Sequence, residues 1–332
     1  EAFEIHLFSS GRPDAATPRF QALACRWHDI RGLTDDEAAE LVRRAQIDIL
    51  VDLAGHTSGN RLPMFARRPA PVAVTWIGYP NTTGLEAIDY RLTDAWCDPP
   101  GTTEHLHTET LVRLPRGFLC YQPPANAPEP GPPPVLETGH ITFGLFNALP
   151  KVRPAVVAAW AAILRRVPGS RLLLKSRALA DEETRRRLLE MFAGQGIEEA
   201  RIEIVGTTSS HARHLAFYSR VDIALDTFPY HGTTTTCEAL WMGVPVVVLA
   251  GATHVSRVGV SLLEQVGLGE LAAGNEAAYV ERAAALAGNI SKLKEIRAGL
   301  RGRMAASPLT DAAGFTRDLE AAYRRMWEER SV

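Results

Sequence analysis

Short apolar runs alternate with longer amphipathic stretches along most of this chain. EIHLF reads as a strand, residues 35–45 as a helix with its apolar positions on one face, and residues 47–53 as a strand ending in the turn GHTSG. Residues 72–76 form a further strand that runs into GYPNTTG, and residues 90–92 one that precedes Thr93 and Asp94. Short apolar strands closed by Gly, Asn and Thr turns predict a parallel sheet whose C-terminal loops share one edge, the edge where open sheets bind ligands. Residues 123–134, PPANAPEPGPPP, interrupt the pattern, because repeated proline removes backbone donors and favours an extended surface linker.

After the linker the alternation resumes. ITFGLFN is a strand, residues 154–166 a helix, LLLK a strand, residues 181–192 a helix, IEIVG a strand and residues 211–220 a helix. Residues 223–225 lead into a run of four threonines and its helix, VPVVVLA closes the series, and residues 258–265 and 277–286 add helices. From Ser291 the chain is helical, and AAYRRMWEE places Tyr323, Met326 and Trp327 on one stripe suited to packing. The predicted class is α/β, with two doubly wound, Rossmann-like domains. The boundaries are residues 1–122, a linker over 123–139 and a second domain over 140–332. A cleft between two such domains is the expected place for chemistry.

Composition narrows the partners. With 332 residues the chain suffices for two cores, and a net charge of -2 gives no indication of a nucleic-acid or membrane partner. Arg165, Arg166, Arg171, Lys175, Arg177 and Arg185 to Arg187 make the middle locally basic, which would steer an anion, although Arg185 to Arg187 read as a solvated helix face. Cys25, Cys97, Cys120 and Cys237 form no CxxC pair, and no apolar run is long enough for a bilayer, so a reduced, cytoplasmic setting is expected. The chain opens at Glu1 and moves straight into FEIHLF. It therefore reads as cut from something longer, which leaves an export signal open.

Candidate chemistry concentrates in DTFPYHGTTTTCEALWMGVPVVVLA, residues 226–250. A glycine-opened threonine turn that feeds a helix presents unpaired N–H groups and hydroxyls at one point, a cradle for phosphate, with Glu238 within reach of sugar hydroxyls. A capped helix without a ligand is the bland alternative. The first domain offers Asp29, His56, Thr57, Tyr79, Asn81, Thr82 and Thr83; the second offers Asn147, Lys151, Lys175, His211, the threonine run and Glu238. Lys151, at a helix start in FNALPK, would neutralise a leaving diphosphate or be merely solvated. His211 would contact a base or phosphate, or cap its helix. No HExxH or Cys/His cluster occurs and Asp222 and Asp226 look structural, so no metal is expected. GxxxxGK[ST], GxGxxG and GxSxG are absent.

DILVDLAGHTSGNRLPMFARRPAPVAVTWIGYPNTTG, LDTFPYHGTTTTCEALWMGVPVV and the tail from ASPLT to MWEE carry a resemblance over nearly the whole chain. The sequence resembles the catalytic region of the O-linked N-acetylglucosamine transferase family, which includes the SPINDLY-type protein O-fucosyltransferases. That resemblance implies the GT-B arrangement, with two Rossmann-like domains around a nucleotide-sugar cleft. It implies metal-free, inverting transfer of a sugar from a nucleotide diphosphate to Ser or Thr hydroxyls of proteins, with no cofactor. By the same resemblance Lys151 stabilises the departing diphosphate and His211 lies against the base or a phosphate. Thr234 and Thr235 grip phosphate, Glu238 takes the place of a ribose-binding aspartate, and Asn147 and Thr233 complete the nucleotide side. His56, Thr57, Tyr79, Thr82 and Thr83 line the sugar and acceptor side, and Asp29 falls where an acidic residue aids proton transfer.

The departures from the family pattern concern the donor. A glutamine of the family falls at Ala148, a ribose-side histidine at Thr233 and a lysine at Thr208, and a GYT turn is replaced by Gly55-His56-Thr57. These differences lie nearer to SPINDLY, so UDP-N-acetylglucosamine and GDP-fucose both stand as donors. The family's first strand, its glycine-rich loop with a histidine, and tetratricopeptide repeats that hold the protein substrate are expected in the parent protein. The alternatives are transfer to asparagine or a small glycan, a non-catalytic nucleotide-sugar-binding module, and a sugar-nucleotide 2-epimerase.

Overall fold

A computed structural model describes residues 3–330. The chain divides into two compact units. The first holds the residues up to Thr93, Glu104–Val112 and those from Leu319; the second holds Asp94–Thr103 and Arg113–Asp318.

In the first unit, strands β1 (His6–Ser9) and β2 (Arg26–Asp29) pair in parallel with each other. Strands β3 (Ile49–Asp52), β4 (Val72–Thr75), β5 (Tyr90–Thr93) and β6 (Thr110–Arg113) form a second sheet in that order, with β3, β4 and β5 parallel. The helix Asp35–Arg44 opens with a capping box between Thr34 and Glu37, and its period turns Ala38, Ala39 and Val42 inward. These three residues join Ile30, Leu50, Leu62, Phe65 and Ala73 in one core. The helix Thr17–Leu23 and β2 are missing from the sequence-based reading. The helix buries none of its residues, and β2 is short and polar, so neither carries a hydrophobic period.

The second unit is a six-stranded sheet in the order β12-β11-β10-β7-β8-β9, parallel throughout. Its strands are β7 (Thr142–Leu145), β8 (Arg171–Lys175), β9 (Ile202–Val205), β10 (Ile223–Leu225), β11 (Val246–Leu249) and β12 (Ala272–Ala273). Within the unit this is the doubly wound order 3-2-1-4-5-6, and it reverses between β7 and β10. Every residue of β7 is buried, as a strand covered on both faces requires. Trp160, on the helix Pro154–Arg166, donates its indole N–H to Tyr279 Oη at 3.1 Å; Tyr279, on the helix Glu276–Ala287, donates to the carbonyl of Asp226 at 2.9 Å. Two covering helices are thereby tied to the C-terminal end of β10.

The proline-rich stretch is not a free surface linker. The buried Arg297 donates to the carbonyls of Gly131 (2.8 Å), Val221 (2.6 Å) and Tyr218 (3.1 Å), and Arg301 donates to the carbonyls of Pro128 (2.5 Å) and Trp241 (2.8 Å). Carbonyls that proline leaves without a strand partner are collected by guanidinium forks, which strap the segment to the second unit. The boundaries also differ from the linear division at 122 and 140. Leu114, Phe118 and Leu119 are buried, and Phe118 N–H is held by Asp94, which places residues 113–122 with the second unit. The final helix, Ala312–Arg330, begins in the second unit and ends in the first, where Tyr90 Oη donates to Glu329 at 3.2 Å. On its stripe Met326 is buried, while Trp327 keeps 38% of its surface exposed. Arg186 pairs with Glu183 and Glu190 along one exposed helix, and Arg185 with Glu182, as a solvated charged face does.

Candidate functional site

The strand order reverses between β7 and β10, and the polar groups at their C-terminal ends meet there. Asn147, just beyond β7, donates its amide to Asp226 Oδ1 at 2.8 Å and to Thr227 Oγ1 at 3.0 Å. Asp226, just beyond β10 and 2% exposed, also accepts from the backbone N–H groups of Thr227 and Gly232, each at 2.8 Å. The loop that follows is thus wound around one buried carboxylate. Asn147 Oδ1 accepts from Thr235 Oγ1, and Tyr218 Oη donates to the carbonyl of Thr235 at 3.0 Å, so Thr235 is clamped from two sides. Only glycine fits at 232. A Cβ there would stand 2.7 Å from the Thr235 and Thr236 hydroxyl oxygens and 2.8 Å from Asn147 Oδ1.

The helix Thr234–Trp241 begins at this point, and no side chain caps it. Its first N–H groups, at Thr234, Thr235 and Thr236, precede the first intrahelical bond, which runs from Cys237 N–H to the carbonyl of Thr233. Bare amides, the positive end of the helix dipole and threonine hydroxyls converge there, an arrangement that suits a phosphate group.

Lys151 approaches the same loop. It ends a 3-10 turn, Leu149–Lys151, ahead of the helix Pro154–Arg166 instead of starting that helix. Its Nζ donates to the carbonyl of His231 at 2.7 Å and lies 3.8 Å from the centre of the Tyr230 ring. Burial lowers the pKa of this ammonium, and the charge of Asp226 opposes the shift. The buried His231 donates from Nε2 to the carbonyl of Leu249 and accepts at Nδ1 from Gly259 N–H, so it is spent on holding the loop to its neighbours.

Glu238 is a second focus. Burial raises its pKa, but hydrogen bonds from His214 and His211 outweigh that and leave the carboxyl lowered overall. His211 Nε2 lies 2.8 Å from Oε1 and His214 Nε2 lies 2.9 Å from Oε2, while Lys175 Nζ sits 2.6 Å from His214 Nδ1. His211 does not cap its helix. Ser210 does, accepting from Arg213 N–H, because its hydroxyl sits at the residue before the first turn. Glu238 was expected beside a ligand's hydroxyls, and here its carboxylate is engaged by two imidazoles. His214 and Tyr218 escaped the sequence reading. The spacing of His211 and His214, three residues apart in a helix, was the signal that both rings share one face.

In the first unit, Asp52 accepts from the N–H groups of Ala54 (3.0 Å) and Gly55 (2.9 Å) and from Thr75 Oγ1 (2.8 Å), which shapes the turn that carries His56. His56 Nε2 donates to the carbonyl of Thr83 at 2.8 Å, with its ring edge-on to Tyr79. The buried Glu109, also unforeseen, accepts from Thr82 Oγ1 (2.7 Å) and Thr83 N–H (2.6 Å). His56, Tyr79, Thr82 and Thr83 are therefore brought together, while the Thr57 hydroxyl turns back to the carbonyl of Ala54. Asp29 stands apart at the end of β2. A bidentate hydrogen-bonded pair with Arg31 lowers its pKa to about 2, which makes it a weak base.

Comparison with known proteins places this architecture. The profile of glycosyl transferase family 41 matches residues 5–122 and 135–319. The chain belongs to glycosyl transferase family 41. It is 50% identical over 320 residues to a rice protein named probable UDP-N-acetylglucosamine–peptide N-acetylglucosaminyltransferase SPINDLY, covering 95% of this chain and 34% of that protein. A petunia protein of the same name is 48% identical over 330 residues, covering 98% of this chain and 35% of its own length. The chain thus spans about a third of the length of the curated relatives it matches. A mutant O-GlcNAc transferase from Thermobaculum terrenum matches in structure with a TM-score of 0.93 at 44% identity, over 98% of this chain and 62% of that one. The family 41 chain therefore has the GT-B class of fold, with Rossmann-like α/β units. Among its described residues no group of three or more His, Cys, Asp or Glu is placed to hold a metal ion, and no helix is long and apolar enough to cross a membrane.

Proposed function

We propose that this chain is the donor-binding and catalytic part of an inverting protein O-glycosyltransferase. It would move N-acetylglucosamine from UDP-N-acetylglucosamine to Ser and Thr hydroxyls of proteins without a metal ion. The observation that carries the reading is the convergence of Lys151 and the bare amides of Thr234 to Thr236 on one loop, at the reversal point of a sheet in a family 41 chain.

The acceptor hydroxyl attacks the anomeric carbon in line, and the bond from that carbon to the diphosphate breaks on the opposite face. Negative charge then grows on the diphosphate, where the helix N-terminus and the Lys151 ammonium meet it. Thr233, Thr234 and Thr235 hold the phosphates, and Asn147 fixes Thr235. His211 takes the nucleobase side, with Glu238 beneath it. His56, Thr57, Tyr79, Thr82 and Thr83 serve the sugar and the acceptor. The acceptor oxygen keeps its proton until the new bond to the anomeric carbon has formed and then gives it to solvent water, so Asp29 contributes a hydrogen bond only. Tetratricopeptide repeats in the parent protein would hold the acceptor polypeptide, in the cytoplasm.

Ala148 and Thr233, where the family pattern has other residues, support GDP-fucose as a second donor. The deciding experiment offers UDP-N-acetylglucosamine and GDP-fucose separately to the parent protein with cell lysate, and reads modified hydroxyls by mass spectrometry. Transfer from the UDP donor is expected. Transfer from GDP-fucose alone would replace the sugar in this reading, and tight nucleotide binding with no transfer from either would replace the enzyme with a binding module.

A further inference from the structure

The turn that follows β4 is held in a strained conformation. Gly78 N–H donates to the carbonyl of Trp76, two residues back, at 2.8 Å, and Ile77 between them has φ +65°. This is the rare form of the three-residue turn, and it is unfavourable for a β-branched residue, whose side chain crowds the backbone there. The side chain recovers little by packing, since Ile77 keeps 45% of its surface exposed. Glycine would hold the same conformation at no steric cost, as Gly55 (φ +53°) and Gly84 (φ +70°) do nearby.

The surroundings leave this turn no slack. Upstream, Trp76 N–H donates to the carbonyl of Asp52 at 2.9 Å and continues the pairing of β4 with β3. A Cβ at residue 78 would collide with the carbonyl of Leu53, so the chain lies flush against the turn after β3. Downstream, two buried charges hold it. Arg91 on β5, 2% exposed, donates from Nη1 to the carbonyl of Asn81 (2.6 Å) and from Nη2 to that of Tyr79 (3.1 Å). Glu109, the residue before β6 and 4% exposed, accepts from Thr82 Oγ1 (2.7 Å), Thr83 N–H (2.6 Å) and the Thr83 hydroxyl. The Thr83 carbonyl in turn accepts from His56 Nε2 at 2.8 Å. A guanidinium and a carboxylate out of water are unfavourable unless their hydrogen bonds are made, so each grips its partners firmly. With Trp76 fixed on one side and Tyr79 on the other, the chain must reverse within three residues, and Ile77 takes the left-handed conformation.

We propose that Arg91 and Glu109 are positioning residues for sugar transfer. They hold the turn over residues 76–84 in its strained form, and through it they fix Tyr79, Thr82, Thr83 and His56. The inference rests on the reading of these four residues as the sugar and acceptor side. It assigns their placement to two charges buried behind the turn, and to a backbone that relaxes when either charge is lost.

The test measures transfer by the parent protein, together with UDP affinity. Arg91→Leu should lower kcat about 100-fold, the scale of an ångström's misplacement, with UDP affinity unchanged because the threonine turn and Lys151 belong to the second unit. In an Ile77→Gly background the same substitution should cost only about tenfold, since glycine keeps the turn without the clamp. A merely structural role for Arg91 predicts an equal or larger loss in that background, and such a loss would overturn the proposal. Glu109→Gln keeps an acceptor for Thr83 N–H and should stay within about fivefold of the wild type, whereas Glu109→Ala should lose about as much as Arg91→Leu. Equal losses for Glu109→Gln and Glu109→Ala would overturn the proposal too. A further measurement leaves residues 91 and 109 untouched. Alanine is ordinarily the more stable choice over glycine, but at position 77 the order should invert, with an unfolding constant in urea about fivefold smaller for Ile77→Gly than for Ile77→Ala. The ordinary order would show an unstrained turn and overturn the proposal even if no other variant folds. The inverted order in a parent protein that transfers no sugar would count only against the transferase reading.

Discussion

Asn147 and Asp226 end two adjacent parallel strands, β7 and β10, and their side chains join at 2.8 Å where the strand order of the sheet reverses. The loop and the helix that follow β10 are both referred to this pair. Asp226 holds Gly232 N–H and Asn147 holds the Thr235 hydroxyl, so the start of the helix Thr234–Trp241 takes its position from two buried groups.

Asp226→Ala leaves the N–H groups of Thr227 and Gly232 and the amide of Asn147 without their acceptor in a buried place. A loss of about 3 kcal/mol in stability is expected, read by urea unfolding. A loss under about 0.5 kcal/mol, the level of an ordinary surface change, would show that the loop is held by something else.

Gly232→Ala tests the cradle with far less effect on charge. The new methyl would press on the Thr235 and Thr236 hydroxyls and on Asn147 Oδ1, and would push the helix start away from its ligand. UDP affinity should drop at least about tenfold by calorimetry, which corresponds to roughly 1.4 kcal/mol. Unchanged affinity would remove the threonine turn from the binding site.

Lys151→Ala should lower kcat by about 100- to 1000-fold, with a smaller effect on donor binding, because the ammonium meets charge that grows during bond breaking. The pH profile carries a sign. Burial lowers the lysine pKa, so activity should fall with rising pH earlier than an ordinary lysine would dictate. Lys151→Arg keeps its charge at those pH values and should flatten that alkaline limb. A wild-type rate in Lys151→Ala would end the leaving-group role.

The Glu238 carboxyl has a lower pKa folded than unfolded, since the hydrogen bonds from His214 and His211 outweigh burial. Its stabilising contribution is therefore complete above the unfolded pKa and lost as pH falls through the folded one. Unfolding free energy measured across the acid range should slope less in Glu238→Gln than in the wild type. Parallel slopes would mean that the two imidazoles do not stabilise the carboxylate.

Arg297→Ala removes the donor to three carbonyls and releases the strap over Gly131. The proline-rich segment should then become a site of rapid proteolytic cleavage while the wild type resists. Equal resistance in both would assign the strap to Arg301.

Much of this was written locally. The βα alternation of the second unit, the helix over 154–166 and the threonine turn follow from hydrophobic period and turn chemistry, which act between near neighbours and so survive in one dimension. The family followed from long matched segments for the same reason. The helix Thr17–Leu23 was not legible, because it buries nothing and leaves no period.

What the tertiary structure decided is which distant groups share a proton. Asn147 and Asp226 are 79 residues apart, and Lys175 and His214 are 39 apart. No local rule says that strand β10 will lie beside β7, or that a lysine ending β8 will face a histidine on a later helix. Likewise, the prolines signalled an exposed linker, and only the fold supplied the arginines that collect its carbonyls. Local sequence sets each element and its caps, whereas the pairing of buried polar groups depends on strand order, which is settled when the whole sheet packs.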